Sequence, residues 1–489
     1  MTPGVAIADA PSTPIAVHPP QTGTQRKPMP AAARTRLLLD GAIVPALLRL
    51  AAPNVVVNVV LIAVTAGVDA HFVGRLGPSA LAGLSLVFPL LMLMQQMANS
   101  SMGSAIASSI ARAIGAGRSQ DASALVVHAL LIAAGMAAIF STLLIVGGPT
   151  FYALMGGRET TLAAAVEYSN TIFGGALVYW VLSTLTSIIR GTGQAGVLAI
   201  VYLAAELLHI LLVPALVFGF GPIPALGITG AGLATVASFT TSSLVLAWYL
   251  VSGRTPLRLS LRGVRLDRRL FKDILRVGAP MSLQPFVNNI TLATLTAFVA
   301  TLGPTALAAF GVAVRLEYFQ IPLTFGLGAA VVAMVGTNLG AGNVARAERI
   351  AWTAAGLAAG VTALIGLVAV TAPGLWTVLF SAAPEVHRQA AIYLAIAGLG
   401  YPFFGIAMML SSAFQAAGRP AWPLLSVASR SVIVVAGGFI ALRLLGSSLA
   451  GLGVAAGLGL FAFATILTTA FRSGGWKCQE PMTRSRKEN

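Results

Sequence analysis

Charged residues are scarce in this chain. Only 9% of its 489 residues are Asp, Glu, Lys or Arg, whereas 57% are hydrophobic and the mean hydropathy is +0.87. A soluble domain usually carries about 25% charged residues. A soluble fold also leaves too many positions facing water to hide so much apolar surface. The composition therefore predicts an integral membrane protein.

Several kinds of reactive site are also missing from the sequence. The single cysteine, Cys478, excludes an internal disulfide framework and a thiolate metal cluster. There is no GxxxxGK[ST] phosphate-binding loop, so we expect no ATP hydrolysis by this chain. No His/Cys/acid cluster has metal-ligand spacing, and no nucleophile elbow appears. We therefore predict that the chain is not an enzyme and has no resident cofactor or metal.

Basic residues exceed acidic ones and give a formal net charge of +16. In a soluble domain this excess would indicate nucleic-acid binding. Here, however, Lys and Arg gather in a few segments between apolar runs, which is the positive-inside pattern of membrane proteins. We expect the lipid bilayer, and not nucleic acid, to be the partner of this chain.

Apolar stretches long enough to span a bilayer begin near Ile43. Residues 1–36 hold seven prolines and no apolar run, which predicts a disordered tail and not a signal peptide. A spanning helix needs about 20 apolar residues. Twelve such stretches can be placed between Gly/Pro breaks, at residues 43–73, 80–111, 122–146, 161–188, 196–219, 228–251, 274–301, 306–338, 347–371, 388–412, 421–442 and 449–471.

The positions of the basic residues predict the orientation. An even number of spans puts both termini on one side of the membrane. In this arrangement 24 of the 30 Lys and Arg residues fall on that side, including eight between Arg254 and Arg276. Because positive loops stay inside, we expect a multi-pass protein of the inner (plasma) membrane with both termini cytoplasmic.

A sequence repeat divides the chain into two copies. LGPSALA at 76–82 matches LGPTALA at 302–308. Further pairs follow in the same order and at nearly the same spacing: LRLAAP with LRVGAP, GAGR with GAGN, and Gly193 with Gly418. The predicted organisation is a cytoplasmic tail (1–42), an N-lobe (43–251), a basic linker (252–273), a C-lobe (274–471) and a basic tail (472–489).

Six spans in each copy predict the symmetry of the fold. Because six is even, the second copy enters from the same side as the first, and the axis between the copies runs along the membrane normal. The predicted fold class is all-α integral membrane, with twelve transmembrane helices in two six-helix lobes. A cavity between rocking lobes is typical of a transporter. A duplicated bundle without transport, such as a scaffold or a membrane enzyme, is the alternative.

Seven motifs resemble the multidrug and toxic compound extrusion (MATE) transporters. They are VDAHFVGRLGPSALAGL (68–84), IARAIGAGR (110–118), RGTGQ (190–194), GITGAGLATVAS (227–238), VGAPMSL (277–283), MVGTNLGAGN (334–343) and AFQAAGRP (413–420). The resemblance implies two six-helix lobes. It also implies export of bulky, often cationic, drug-like compounds in exchange for protons or sodium. Flippases of lipid-linked precursors, from the same wider superfamily, remain an alternative. We expect a monomer.

Ionisable residues inside spans are energetically costly, so each is a functional hypothesis. Asp69 lies near the outer end of the first span. Burial disfavours a charged carboxyl, so Asp69 could bind a proton from outside and lose it when access changes. The resemblance implies a principal coupling residue at this place. A structural cap or a pair with Arg75 or His71 is the alternative. The matching position of the second copy is Leu295, which confines this chemistry to the N-lobe.

The fifth span departs from the family pattern. The resemblance implies an asparagine and, four residues later, an aspartate; here these positions are His209 and Val213. Glu206 lies three residues before His209 on the same helix face, and histidine can relay protons near neutral pH. Glu206 and His209 either replace the missing carboxylate or only tie helices together. Thr235 resembles a hydroxyl that lines the same pocket, unless it bonds its own helix backbone.

The C-lobe lacks the carboxylates of one branch of the family. That branch holds a cation with a glutamate in helix 7 and an aspartate in helix 10. Here the first place falls near Asn288, and span 10 has no acid after Glu385. We therefore expect N-lobe coupling of the DinF-like branch, with protons favoured over sodium.

Residues of a polyspecific cavity are the last group of candidates. Glu317 could attract a cationic substrate, whereas Arg315 and Arg430 are expected to pair or to snorkel. Aromatic and methionine side chains pack flexibly against flat apolar ligands. The predicted cavity residues are Gln284, Asn288, Asn289, Glu317, Tyr318, Met92 and Tyr179.

Overall fold

The computed structural model describes residues 36, 38–222, 224–255, 257, 266–380, 383–444 and 449–477. The predicted disordered tail lies outside these residues except at its end, as do part of the basic linker and most of the basic C-terminal tail. Within the described part, nine helices are long and apolar enough to cross a membrane, and a pair bent by 47° makes ten. Two further helical segments occupy the predicted first and seventh places. Across the described residues the fold is therefore helical, with twelve helical segments in the places of the twelve predicted spans.

The twelve spans are labelled α1 to α12 in chain order. In the N-lobe they are α1 (Ile43–Gly74), α2 (Pro78–Gly115), α3 (Ser119–Val146), α4 (Glu159–Gly174 with Ala176–Gly191), α5 (Ala195–Phe218) and α6 (Gly227–Val251). In the C-lobe they are α7 (Arg268–Met281 with Leu283–Ala300), α8 (Pro304–Gly340), α9 (Val344–Thr371), α10 (Pro384–Ala416), α11 (Ala421–Leu444) and α12 (Leu449–Arg472). Short helices, Gly148–Leu154 and Gly374–Thr377, follow α3 and α9.

The repeated LGP phrase forms the same turn in both lobes. Gly77 has φ 119° and Gly303 has φ 103°, a backbone region that favours glycine. Pro78 and Pro304 then open α2 and α8 at a helix position where no backbone N–H is needed. The phrase therefore serves turn formation and carries no reactive group.

A π-helical segment, Met97–Met102, interrupts α2 near its middle. π-segments inside α-helices are frequent at functional sites. Here the segment carries Asn99, whose Nδ2 donates to the Tyr179 hydroxyl at 2.6 Å. Asn99 Oδ1 accepts from the Ser183 hydroxyl at 2.9 Å. The irregular turn thus joins α2 to α4 through a side-chain amide.

The first helix of each lobe begins in the core of the other lobe. The apolar core of the N-lobe includes Leu270, Ile274 and Met281 of α7. In the same way, Leu47 and Ala51 of α1 pack in a core formed by α8 to α12. Inside these two helices lie matching prolines, Pro53 and Pro280, which end the LRLAAP and LRVGAP motifs of the repeat. Thus α1 and α7 cross between the lobes.

Both described ends of the chain lie on one face of the molecule, which we call the terminal face. The Arg346 guanidinium, at the start of α9, donates to the Gly41 carbonyl. Lys477 Nζ lies 3.2 Å from Glu348 Oε2. The two lobes also meet at this face, where α1 packs on α8 and α2 packs on both α7 and α8.

A close-packed seam joins the ends of α2 and α8 at the terminal face. A Cβ at Gly115 would collide with the Thr337 carbonyl, and a Cβ at Gly340 would collide with the Arg112 carbonyl. These two contacts are reciprocal, because Gly115 and Gly340 are the last glycines of α2 and α8 and occupy equivalent positions in the two copies. Arg112, in the same part of α2, also donates to the Ala416 carbonyl at the end of α10, at 2.8 Å. The lobes are therefore in direct backbone contact at the terminal face.

Candidate functional site

A buried aspartate–histidine contact joins α1 to α5 in the N-lobe. His209 Nε2 lies 3.0 Å from Asp69 Oδ1. The two residues expose only 3% and 6% of their surface. Asp69 lies in the last turns of α1, on the side opposite the terminal face. A carboxylate so deep in an apolar bundle is costly unless it is paired, and the imidazole provides the pair.

Three further groups surround this contact. Tyr168 of α4, which is 1% exposed, interacts with Asp69. Glu206, one turn before His209 on α5, interacts electrostatically with the imidazole and is 7% exposed. The backbone of Ala234 on α6 also lies against the His209 ring. Thus one tyrosine and a second carboxylate face the aspartate–histidine pair.

This arrangement can exchange a proton. A carboxylate oxygen and a ring nitrogen at 3.0 Å form a hydrogen bond only when a proton lies between them. A free imidazole gains or loses its second proton near neutral pH, so a carboxylate–imidazole pair can have a net charge of −1 or 0. In an apolar interior, that change strongly alters the cost of keeping the site away from water.

The structure decides between the alternatives for the partner of Asp69. Arg75 lies instead over the Phe72 ring, at 5.8 Å from its centroid. His71 is exposed and contacts the same ring edge-on. A pair of Asp69 with either residue is therefore wrong, and the partner is His209. Leu295, the counterpart in the C-lobe, lies in an apolar core.

Thr235 is close to the site but its hydroxyl is engaged locally. The side chain is 3% exposed, and Oγ1 donates to the Ala231 carbonyl at 3.2 Å. It follows Ala234, whose backbone contacts the His209 ring. Val213, at the place of the family's missing aspartate, is fully buried and apolar. Of the ionisable candidates, the structure thus brings Asp69 and His209 into direct contact, with Glu206 one turn before His209 on α5.

The predicted cavity residues fall into two groups. Tyr318 is 48% exposed, Asn288 and Asn289 are also exposed, and Met92 and Gln284 are half-buried. Asn289 Nδ2 donates to the Pro285 carbonyl at 2.8 Å. Tyr179, by contrast, lies inside the N-lobe, bound to Asn99 and packed on Phe239. Glu317 points into the C-lobe, where the Tyr393 hydroxyl donates to its Oε1 at 3.2 Å.

Sequence reasoning missed two tyrosines near the acidic side chains. Tyr168 interacts electrostatically with Asp69, and the Tyr393 hydroxyl donates to Glu317. The two tyrosines have the same spacing along the chain as Gly193 and Gly418, so the repeat that aligned the glycine motifs would have paired them. Among the described residues, no three His, Cys, Asp or Glu side chains converge as a metal site would require.

Comparison with known proteins shows the family of this chain. The MatE family model matches residues 55–215 and 280–440, and the two matches correspond to the two lobes. A FAD transporter of Shewanella oneidensis is 26% identical over 398 residues, which cover 81% of this chain and 88% of the relative.

Two further similarities concern multidrug transporters. The probable multidrug resistance protein YoeA of Bacillus subtilis is 28% identical over 359 residues, covering 72% of this chain and 76% of the relative. A solved structure, described as the outward-facing conformation of a multidrug resistance MATE family transporter, superposes with a TM-score of 0.82. It is 25% identical and covers 91% of this chain and 99% of its own. These proteins are transporters and not enzymes. With both lobes matched by the family model, this chain belongs to the MATE family.

Proposed function

We propose that this chain exports bulky amphipathic, often cationic, drug-like compounds from the cell in exchange for protons. The observation that carries the proposal is the buried contact between Asp69 and His209 in the N-lobe. In this proposal the pair takes up and releases one proton. Glu206 completes the site, and Thr235 belongs to its wall. No cofactor is needed for this exchange, and we propose a monomer of the DinF-like branch.

The close contact of the lobes at the terminal face supports a proposal for the state of the transport cycle. We propose that this face is cytoplasmic, because most of the described basic residues lie on the predicted inner side, and that the protein lies in the inner membrane. The structure then represents the state closed to the cytoplasm. Its similarity to an outward-facing transporter supports this assignment. Protons reach Asp69 from outside in this state, and the release of substrate accompanies their binding.

The coupling follows from the charge change at the site. Taking up a proton converts the Asp69–His209 pair from net negative to neutral, which lowers the cost of excluding water around it. The lobes can then rearrange, open the terminal face and lose the proton to the cytoplasm. A ligand or proton shifts such an equilibrium only by its difference in affinity for the two states. Proton affinity that differs between the states is therefore the requirement of this mechanism.

Expression in a host that lacks its own drug exporters tests the proposal. The wild-type chain should raise drug resistance and the efflux of a cationic dye. Asp69→Asn should reduce efflux to the level of the empty vector, because its amide takes up no proton. Asp40→Asn, at an exposed position near the terminal face, is the matched control and should transport normally. Full export by the Asp69 variant would refute its coupling role.

The same experiment also tests two other classes of transported compound. A relative in the comparison is a FAD transporter, so a flavin nucleotide is included with the dyes. Lipid-linked precursors are tested by flipping assays in vesicles. A chain that moves only one of these cargoes, and no drug or dye, would contradict multidrug export.

A further inference from the structure

A buried arginine at the end of α4 has no partner for its charge. Arg190 lies in the last turn of α4 and exposes only 9% of its surface. Its Nε is buried without a hydrogen-bond partner, and among the described residues its guanidinium takes part in no ion pair or hydrogen bond. The position follows directly after the predicted fourth span, 161–188, where a cation is expected in a loop on the inner side. The structure instead places this cation inside the protein.

The guanidinium of Arg190 lies at the boundary between the two lobes. Its Cζ atom is 5.2 Å from the centroid of the Phe325 ring, which belongs to α8 of the C-lobe. Next to this ring, Gly326 approaches α1 so closely that a Cβ would collide with Val55. The head of Arg190 therefore contacts the opposite lobe, near the place where α1 and α8 meet.

A polar stripe on α4 leads to this arginine. Four polar residues are spaced by four, three and four positions and therefore share one helix face: Tyr179, Ser183, Thr186 and Arg190. The hydroxyls of Tyr179 and Ser183 are hydrogen-bonded to Asn99 of the π-helical segment. The Thr186 hydroxyl lies 3.0 Å from the Tyr202 hydroxyl. Among the described residues, the other polar side chains of this stripe thus have partners, and the guanidinium does not.

Stabilisation of the helix end does not explain the position of Arg190. A cation in the last turn of a helix can bind the free carbonyl groups there and offset the helix dipole. No carbonyl of the described residues accepts from Arg190, and its head lies against the Phe325 ring of the other lobe. Such a cation–π contact offsets only part of the cost of burying an unpaired ion. The guanidinium is therefore one half of an ion pair whose anion is not supplied by the described residues.

We propose that Arg190 binds the acidic group of a transported compound, a carboxylate or a phosphate, between the lobes. The planar guanidinium presents paired N–H donors that match two oxygens of such a group. The Phe325 ring beside it suits the flat apolar part of the same compound. This inference rests on the proposed function and narrows its substrate class, because it adds compounds that carry an acidic group besides their cationic and apolar parts.

Two dyes that differ in one group test the inference. A rhodamine methyl ester is a cation, whereas its free acid adds a carboxylate to the same ring system. Binding of each dye to the purified full-length protein is measured by fluorescence anisotropy. Arg190→Gln should weaken binding of the acid by at least about tenfold, the size expected for a hydrogen bond between charged groups, and should leave binding of the ester unchanged. Equal weakening of both dyes would show that Arg190 only supports the fold and would overturn the inference.

Two further variants complete the binding experiment. Arg315→Gln is the matched control, because Arg315 also lies over an aromatic ring, at 5.0 Å from the Phe380 centroid, but on another part of α8. This variant should bind both dyes as the wild type does. Arg190→Lys covers the case in which Arg190→Gln does not fold, since lysine keeps the charge but lacks the paired donors. It should weaken binding of the acid relative to the ester, and wild-type binding of both dyes would overturn the inference.

Transport shows whether the bound anion is a substrate. In proteoliposomes the wild-type protein should move both dyes, and Arg190→Gln should lose the acid while it retains the ester. If binding of the acid depends on Arg190 but the acid is not transported, the site holds a resident anion and the inference is overturned. Failure of the proposed function is distinguishable, because it appears as full export of the ester by Asp69→Asn, whereas the binding of the two dyes is measured without an ion gradient.

Discussion

At the scale of single residues, His209 decides what Asp69 can do. A lone aspartate at this depth would hold or lose its proton according to burial alone. The imidazole at 3.0 Å offers a second place for the proton and a counter-charge when it is occupied. Tyr168, Glu206 and the Ala234 backbone face the pair from α4, α5 and α6. The proposed proton exchange is therefore a property of the pair and not of Asp69 alone.

His209→Gln should remove the part of the pH dependence of transport that arises from protonation of the imidazole. Glutamine retains a hydrogen bond to Asp69 but cannot take up a proton. The limb of the profile that titrates near neutral pH is expected to disappear, while the binding of substrate at fixed pH persists. His71→Gln, an exposed position on α1, should leave the profile as in the wild type. An unchanged profile in His209→Gln would show that the histidine only ties helices together.

Some of these residues could be predicted from sequence and others could not. Asp69 is the one acid of its apolar stretch, so the cost of burying it already marks it as functional. Its partner lies 140 residues away, and no local spacing predicts that contact. Arg430 was expected to pair or to snorkel, and its Nε lies buried without a hydrogen-bond partner. Tyr168 and Tyr393 carry no charge, so the argument from buried charge passes over them.

At the scale of helices, the glycine motifs at the ends of α2 and α8 set how closely the lobes approach. Gly115 and Gly340 leave no room for a Cβ against the backbone of the opposite helix. A backbone carbonyl cannot turn away as a side chain can, so any larger residue must push the helices apart. The repeated GAG phrases indicated the register of the two copies, but the sequence did not predict that the two phrases touch.

Gly115→Ala should loosen the seam at the terminal face. Overpacking of this kind costs about 1–3 kcal/mol. It destabilises the state in which the ends of α2 and α8 touch. Gly135→Ala, at an open position of α3, is the control. A cysteine at the buried Ser108, in a chain carrying Cys478→Ser, reports the opening by its reaction with a membrane-impermeant maleimide from the terminal face. Labelling should be faster with Gly115→Ala, and equal rates would contradict the role of the seam.

Helix ends also show where sequence patterns stop being informative. The fifth span was predicted at 196–219, and α5 runs from Ala195 to Phe218. The seventh was predicted to start at 274, but α7 starts at Arg268, because Asp267 caps it by accepting from the Arg269 amide at 2.8 Å. Its first turns are charged and amphipathic, so an apolar window does not detect them. The bend within α4 likewise has no hydropathy signal.

At the scale of the whole molecule, Arg112 fastens the two lobes at the terminal face. Its guanidinium binds both carboxylate oxygens of Asp273 on α7, at 2.9 and 3.0 Å. The same group donates to the Ala416 carbonyl at the end of α10, at 2.8 Å. Because α1 and α7 each begin in the opposite lobe, opening this face must also bend or slide both crossing helices. We call the contacts of Arg112 with Asp273 and with the Ala416 carbonyl the latch.

Arg112→Gln, Asp273→Asn and their combination form a double-mutant cycle on this latch. The pair is partly exposed, so a coupling energy of about 1 kcal/mol is expected, or about a fivefold change in the balance of open and closed states. The labelling rate of the cysteine at position 108 measures that balance. The double variant should open little more than either single variant, whereas fully additive effects would show that the two side chains do not act together.

Proton transport in sodium-free proteoliposomes tests the central claim most directly. The protein is reconstituted, a pH gradient is imposed, acidic on the side opposite the terminal face, and dye movement and internal pH are followed together. The account predicts that the wild-type chain moves dye against its gradient while protons enter, and that Asp69→Asn does neither. Dye movement that ignores the pH gradient and appears only when sodium is added, or equal coupling in the Asp69 variant, would contradict it.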